Sequence, residues 1–488
     1  VQSRIPAPLT AAEDTSDIAM TRLHRRDFLK SCCVAAVAGG VGSRAKAYFA
    51  PPPLIPTVAS EDTLVVVFLR GAMDGLSLLP PGAGSPFRGD YETNRTGTRI
   101  PVSGNGAALA LANTTWALHP RAAALRDLYQ ANHLAIVVAA GQMQPNPVVR
   151  SHFEAQSNLE FGLGGGAGNG LGWLTRHLVS GGLPTTVPLP ATSMGSITAS
   201  SLLGSTDAIT MASGSDFRLD TFHWSWQNDD AAHGLVGAVS RMNDLWSGST
   251  FLEDAGRDTL GSLALLRPID FNPYDPDDHP NGYQPSGGAN YALNYNSGFG
   301  AQLRNVAQLV KLDLGLRAVT IDLGNWDTHN GQGNPTQSYD WFGNQVESLS
   351  EGLAAFYTDL SSDPERNYMQ NVSVIVVSEF GRRVLENADG GTDHGYGNVM
   401  LALGGAVNGG TVYGNFPGLD NPSLYQGTDV AVTTDYRQII SEALIRRMAN
   451  PNIYYVFPGY SGYAPLGIFQ GTDLPPSGYD AIFASGFE

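Results

Sequence analysis

Hydrophobic and polar positions along the chain fall into alternating kinds of segment. Five short apolar runs, Leu64–Leu69, Leu134–Ala140, Ala318–Leu323, Val372–Val377 and Val399–Leu403, are rich in β-branched residues and almost free of charge. Unbroken apolar runs of this length predict strands covered on both faces. Between them lie segments with helical periodicity, among them Arg121–Gln130, Phe299–Leu312, Tyr339–Asp359 and Asp435–Met448. Strands alternating with helices predict an α/β domain with a mostly parallel central sheet. From about 161 to 300 the pattern changes to Gly-rich, Ser/Thr-rich and Asn/Tyr/Pro-rich stretches, with an evident loop at Phe271–Pro280. That region reads as a long loop-rich insertion, a cap or subdomain over a site. A Pro-Gly linker from Pro475 leads to the tail Ile482-Phe483-Ala484-Ser485-Gly486-Phe487-Glu488, readable as a sorting or docking signal or as a frayed terminus.

The N-terminal pattern is of another kind. Leu23-His24-Arg25-Arg26-Asp27-Phe28-Leu29-Lys30 resembles the twin-arginine export consensus in order and spacing. The weakly apolar stretch Ser31 to Gly42 follows, too short and Gly-rich for a membrane span. Ala45-Lys46-Ala47 then offers a small-x-small cleavage site. Residues 1–47 are therefore expected to be upstream residues plus a twin-arginine signal peptide, with a mature chain from Tyr48. The polar residues 1–19, before Met20, read as upstream translation or a long n-region. A chain handled by the twin-arginine translocase is exported folded, to the periplasm or beyond, so a metal loaded before export is consistent with this route.

Composition sharpens the picture in two ways. Both cysteines, Cys32 and Cys33, lie in the signal, which leaves the expected mature chain without disulfides, thiolate metal sites or a Cys nucleophile. Subtracting the seven basic and four acidic residues of 1–47 from 28 and 45 leaves 21 against 41, a formal charge of −20. Such a surface argues against nucleic acid and anionic membranes as partners, and no later segment is long and apolar enough to span a bilayer.

In open α/β sheets ligands bind beyond the carboxyl ends of the strands. Candidate chemistry collects there. Arg70-Gly71-Ala72-Met73-Asp74-Gly75 follows the first run, and Gly141 to Arg150 with Ser151-His152-Phe153 follows the second. Asn325-Trp326-Asp327-Thr328-His329 follows the third, and Ser378-Glu379-Phe380-Gly381-Arg382 the fourth. Gly391-Thr392-Asp393-His394-Gly395 precedes the fifth. Asp327 and His329, two apart, would face one side of an extended segment. Asp393 and His394 sit in a Gly-flanked loop whose bend could aim both inward. Carboxylates mixed with imidazoles suit Zn²⁺ or Mn²⁺ and, with more oxygen, Ca²⁺ or Mg²⁺. Each motif alone has a plainer reading: a solvated turn for Asp327-x-His329, an ion pair with Arg382 for Glu379, helix N-caps for Asp74 and Ser151. His119, in Leu118-His119-Pro120, precedes a helix and is expected near the site.

The stretches RGAMDGLSLLPP (70–81), LHP (118–120), SHFEAQ (151–156), NWDTHNGQ (325–332), SEFGRRVLEN (378–387), GTDHGYGNVMLALGGAVNGGTVYG (391–414) and TTDYRQ (433–438) together resemble the exported bacterial "domain of unknown function 1501" family. That family is similar to the alkaline phosphatase and sulfatase superfamily. The resemblance implies a three-layer α/β/α sandwich over 48–474, with the insertion at about 161–300, the tail from 475 to 488, and a metal site at the strand ends. It implies one or two divalent ions held by Asp74, Asp327, His329, Glu379, Asp393 and His394. It implies Ser151 as nucleophile; the neighbouring His152 reads as a ligand or base, and Arg382 as the grip on an anionic oxygen. Glu379-Phe380 stands where the superfamily has an Asp-His pair, which removes one imidazole. A formylglycine route is excluded by the missing cysteine. The expected activity is metal-dependent hydrolysis of phosphate or related anionic esters. The alternative is a non-catalytic exported binding protein that keeps the fold and at most one structural metal. An adhesive, lectin-like surface protein would rest on the Asn/Tyr/Gly-rich middle alone.

Overall fold

A computed structural model describes residues 61–143, 148–163, 170–183, 187–217 and 235–477. The signal segment, the expected start at Tyr48 and the IFASGFE tail lie outside the described residues.

All five apolar runs are strands: β1 is Thr63–Leu69 and β2 Leu134–Gly141. The middle region adds β3, Ala191–Met194, and β4, Ala208–Met211. Then come β5, Ala318–Leu323, β6, Val372–Val377, β7, Asn398–Gly404, β8, Thr411–Tyr413, and the two-residue β9, Thr434–Asp435. They form one sheet in the order β8-β2-β7-β6-β1-β5-β3-β4, with β9 beside the end of β2. Every pairing is parallel except those of β7, which runs antiparallel to both β2 and β6. The mostly parallel α/β sheet expected from the pattern is present.

The stretch expected as an insertion contributes to this sheet. β3 pairs with β5 (Ala191↔Ala318 to Met194↔Ile321) and β4 pairs with β3. These two strands are only four residues long and sit in Gly/Ser-rich surroundings, so they carry too little periodicity to be separated from loop. Phe271–Pro280 is irregular, as its prolines dictate.

Helices cover both faces. On one lie α1 (Ala123–Gln130) and, later in the chain, the helices Ser297–Lys311 and Trp341–Ser361. On the other lie Trp173–Ser180 and Tyr436–Arg446. The period of two in β1 sorts its side chains: Val65, Val67 and Leu69 join the first core, and Leu64, Val66 and Phe68 the second. Helix 341–361 buries Phe342, Val346, Leu349, Leu353, Phe356 and Leu360, a four-three spacing that keeps one face on the sheet. Its N-cap, Asp340, accepts from Gly343 N at 3.0 Å. Among the described residues no helix is long and apolar enough to cross a membrane.

This topology positions the site. The carboxyl ends of β1, β2, β5 and β6 share one edge. Because β7 runs the other way, its beginning reaches that same edge, and 391–397 arrives beside the loops that leave the other four. The antiparallel contact of β6 and β7 extends past the strands: Arg383 N donates to Asp393 O at 2.9 Å, and Gly395 N to Gly381 O at 2.8 Å.

Candidate metal centre

The turn after β1 is tight and strained. Gly71 has φ +114° and buried Ala72 has φ +59°, a region that costs a residue with a side chain. A Cβ on Gly71 would stand 2.6 Å from Asp327 N. That approach lets the 325–329 loop close over the turn. Arg382 fastens the two together. Its Nε donates to Ala72 O at 2.7 Å, Nη1 to Thr392 O at 2.7 Å, and Nη2 to Gly71 O and to Asp327 Oδ1, both at 2.6 Å. Arg382 is buried, and each of its three nitrogens donates to these loops. In this arrangement the guanidinium expected to grip a substrate oxygen braces the loops that shape the site.

Three imidazoles and one carboxylate converge. His152 begins α2, His152–Glu160. Its Nε2 lies 3.5 Å from Asp327 Oδ2 and is buried without a hydrogen-bond partner. His329 Nε2 lies 3.4 Å and His394 Nε2 3.6 Å from Asp327 Oδ1. The two Nε2 atoms of His329 and His394 are 2.8 Å apart. The ligand atoms of His152, Asp327 and His394 all lie within 4.8 Å of one another. Phe380 forms an apolar wall here, with ring centroids 5.1 Å from His152 and 5.0 Å from His394.

The remaining ring nitrogens identify the tautomers. His152 Nδ1 faces Glu379 Oε1 at 2.8 Å, His329 Nδ1 faces Asp393 Oδ1 at 3.0 Å, and His394 Nδ1 faces Arg150 O at 2.7 Å. An ionised carboxylate or a carbonyl only accepts, so each Nδ1 carries a proton, and in the neutral ring each Nε2 is the nitrogen with the lone pair. Two lone pairs at 2.8 Å repel unless a proton or a cation lies between them. A histidine whose second nitrogen donates to a carboxylate or carbonyl is the usual form of a metal ligand. The donors within reach of one ion, His152, Asp327 and His394, with His329 beside His394, mix imidazole nitrogen with carboxylate and suit a zinc-like ion better than oxygen-seeking calcium or magnesium.

Electrostatics keep the carboxylates ionised and treat the histidines differently. Burial pushes Asp327 upward, but the hydrogen bond and charge of Arg382 outweigh it and hold the carboxyl below its ordinary range. Burial likewise opposes ionisation of Glu379, yet bonds from His152 and Gln156 keep it low. Asp393 is held low chiefly by the Asn387 amide. His152 is raised, first by its bond to Glu379, whereas burial lowers His394.

The site residues read from the sequence thus separate into layers. Asp327, His329 and His394 meet, and His152 joins them as a fourth donor. Glu379 and Asp393, expected as ligands, stand behind the histidines as acceptors. Glu379 Oε1 already accepts from Gly71 N at 2.9 Å, Gln156 Nε2 at 3.0 Å and His152, and Oε2 accepts from Ser378 Oγ at 3.0 Å. Asp74 is elsewhere. It is buried against Arg95, with Nη1 at 2.5 Å and Nη2 at 3.1 Å, and also accepts from Ser77 and Gln332. Ser151 occupies the N-cap position of α2, exposed, with no capping bond from its side chain. His119 is fully buried, its Nδ1 accepting from Arg121 N at 3.2 Å and its ring against Phe342.

Gln332 is a residue that residue type and spacing did not point to. It is buried. Its Oε1 accepts from Thr328 and Thr392 at 3.0 Å each, and its Nε2 donates to Asp74 at 2.9 Å. One amide thereby ties the Asp327-His329 loop, the Asp393-His394 loop and the Asp74 anchor together. Its only sequence signal is its place in NWDTHNGQ.

Comparison with known proteins adds one result for the segment that carries most of this site. No curated protein matches the chain. Residues 291–449, which include Asp327, His329, Glu379, Arg382, Asp393 and His394, match the model of the family described as "Protein of unknown function (DUF1501)", and over that stretch the chain is similar to this family.

Proposed function

We propose that the protein is an exported, metal-dependent hydrolase of phosphate or related anionic esters. The observation that carries the reading is the convergence of His152, Asp327 and His394, whose ligand atoms lie within 4.8 Å of one another, with His329 Nε2 2.8 Å from His394 Nε2. A divalent cation held there would act as a Lewis acid, lowering the pKa of a nucleophile and stabilising charge on the transferring group. His152, Asp327, His329 and His394 would hold it. Glu379, Asp393 and the Arg150 carbonyl orient the three rings. The uncapped first turn of α2 points its N–H groups toward this end of the molecule, which favours an anionic substrate group. Ser151, exposed beside His152, is the proposed nucleophile: its oxygen would bond to the ester's central atom as the ester alcohol departs with the hydroxyl proton, and water would then cleave that bond, releasing the anion and restoring the serine.

Zinc- or manganese-loaded protein should hydrolyse an aryl phosphate, and chelation should abolish the activity. Ser151→Ala should lower turnover roughly 10³-fold or more while leaving zinc affinity unchanged. His394→Ala should lose both. A metal-replete protein with no turnover on any phosphate or sulfate ester overturns the catalytic reading. That outcome would favour the second reading, an exported binding protein with one structural metal, which draws its support from Phe380 standing where another imidazole would serve a second ion.

A further inference from the structure

A chain of side chains runs away from the site beneath α2. Arg70 leaves β1 and forks onto Glu160, with Nη2 at 3.0 Å from Oε1 and Nη1 at 3.2 Å from Oε2. Its Nε donates to Asp322 at 2.8 Å, and its Nη1 reaches Gln156 Oε1 at 3.4 Å. The other end of the Gln156 amide, Nε2, donates to Glu379 Oε1 at 3.0 Å, the same oxygen that accepts from His152 Nδ1. Gln156 and Glu160 are one helical turn apart on α2, so a single helix face presents both to Arg70.

The chemistry of the three groups allows one arrangement. A guanidinium has donors and no acceptor, and an ionised carboxylate has acceptors and no donor. An amide bridging them must turn its oxygen to Arg70 and its nitrogen to Glu379. Reversed, its oxygen would face the carboxylate and Glu379 would lose a donor. We infer that Gln156, with its orientation locked by Arg70, is a positioning residue that holds Glu379 as the acceptor for His152 Nδ1–H and so aims the His152 Nε2 lone pair into the cation site. The inference rests on the cation reading for its affinity consequences, but the protonation pattern of His152 can be read without any metal.

The test uses the full chain with Gln156→Leu and Gln156→Glu. Gln156 is half-buried, so Leu fits the space, while Glu can still meet Arg70 but cannot donate to Glu379. Long-range nitrogen NMR of the metal-free protein at alkaline pH, where the ring is neutral, reads which nitrogen of His152 carries the proton. Wild type should show it on Nδ1, and both variants should shift population to Nε2. Zinc affinity, measured by chelator competition, should fall about 10- to 100-fold in both variants. Arg70→Lys keeps a cation for Glu160 but loses the fork, and should fall between wild type and Gln156→Leu. A Gln156→Glu protein with His152 still protonated on Nδ1 and zinc affinity unchanged overturns the inference. Wild-type protein that binds no zinc, yet shows the proton shift in the variants, overturns the cation reading and leaves the positioning role standing.

Discussion

Gly71 is the residue on which the closeness of two loops depends. Its φ of +114° and the 2.6 Å from its Cβ direction to Asp327 N leave no room for a side chain. Gly71→Ala should lower stability by about 1–3 kcal/mol and push Asp327 outward, weakening zinc binding at the same time. Denaturant unfolding and chelator competition on one sample check both effects. An unchanged midpoint would mean that the turn relaxes freely. At this scale the meeting of Asp327, His329 and His394 was legible, because strand ends and residue type suffice to propose which side chains gather there. The division of labour among the carboxylates was not. Whether Glu379 binds a cation or a histidine depends on how many donors already occupy its oxygens, and those donors come from Gly71, His152, Gln156 and Ser378, between one and 308 positions away.

At the scale of elements, β7 decides the site, because an antiparallel strand delivers its beginning where parallel neighbours deliver their ends. Asn398, its first residue, makes that junction. Its Nδ2 donates to Met73 O at 3.0 Å and to Phe380 O at 2.8 Å, joining the turns after β1 and β6. Asn398→Ala would leave two buried carbonyls unpaired and should cost about 1–3 kcal/mol, read as a lower unfolding midpoint. A midpoint equal to wild type would show that other bonds hold the junction. The apolar run of β7 was legible as a strand. Its direction was not, since a run buried on both faces looks the same either way along the sheet. β3 and β4 were missed for the opposite reason, being too short to show a period.

Across the whole molecule, the Asp74–Arg95 pair is an anchor beneath the loops. Both side chains are fully buried, and Arg95 also donates to Val384 O and Arg383 O at 2.6 and 2.9 Å. Burial works against the charged form of Asp74, yet Arg95, Gln332 and Ser77 hold its pKa below the ordinary carboxylate value. A depressed folded pKa contributes stability that is present above the unfolded value and lost as pH falls through the folded one. Urea midpoints should therefore drop as pH falls below the usual aspartate range. In Asp74→Asn the acid-dependent part of that drop should shrink, with an overall loss of about 3–5 kcal/mol because Arg95 is left buried and unpaired. An Asp74→Asn protein with wild-type acid sensitivity would remove Asp74 from this role.

Local pattern in the chain was enough to place the five long apolar strands and the helices at 123–130, 297–311, 341–361 and 436–446, to make the sheet mostly parallel, and to gather candidate residues at one end of it. These properties follow from periodicity and from the geometry of α/β sheets, and each can be read within a short window of residues. Folding alone decided that β7 runs backward, that Asp74 belongs to Arg95, that His152 stands with His329 and His394, and that Glu379 serves a histidine. Each of these depends on which donor meets which lone pair, a property of pairs brought together from distant parts of the chain.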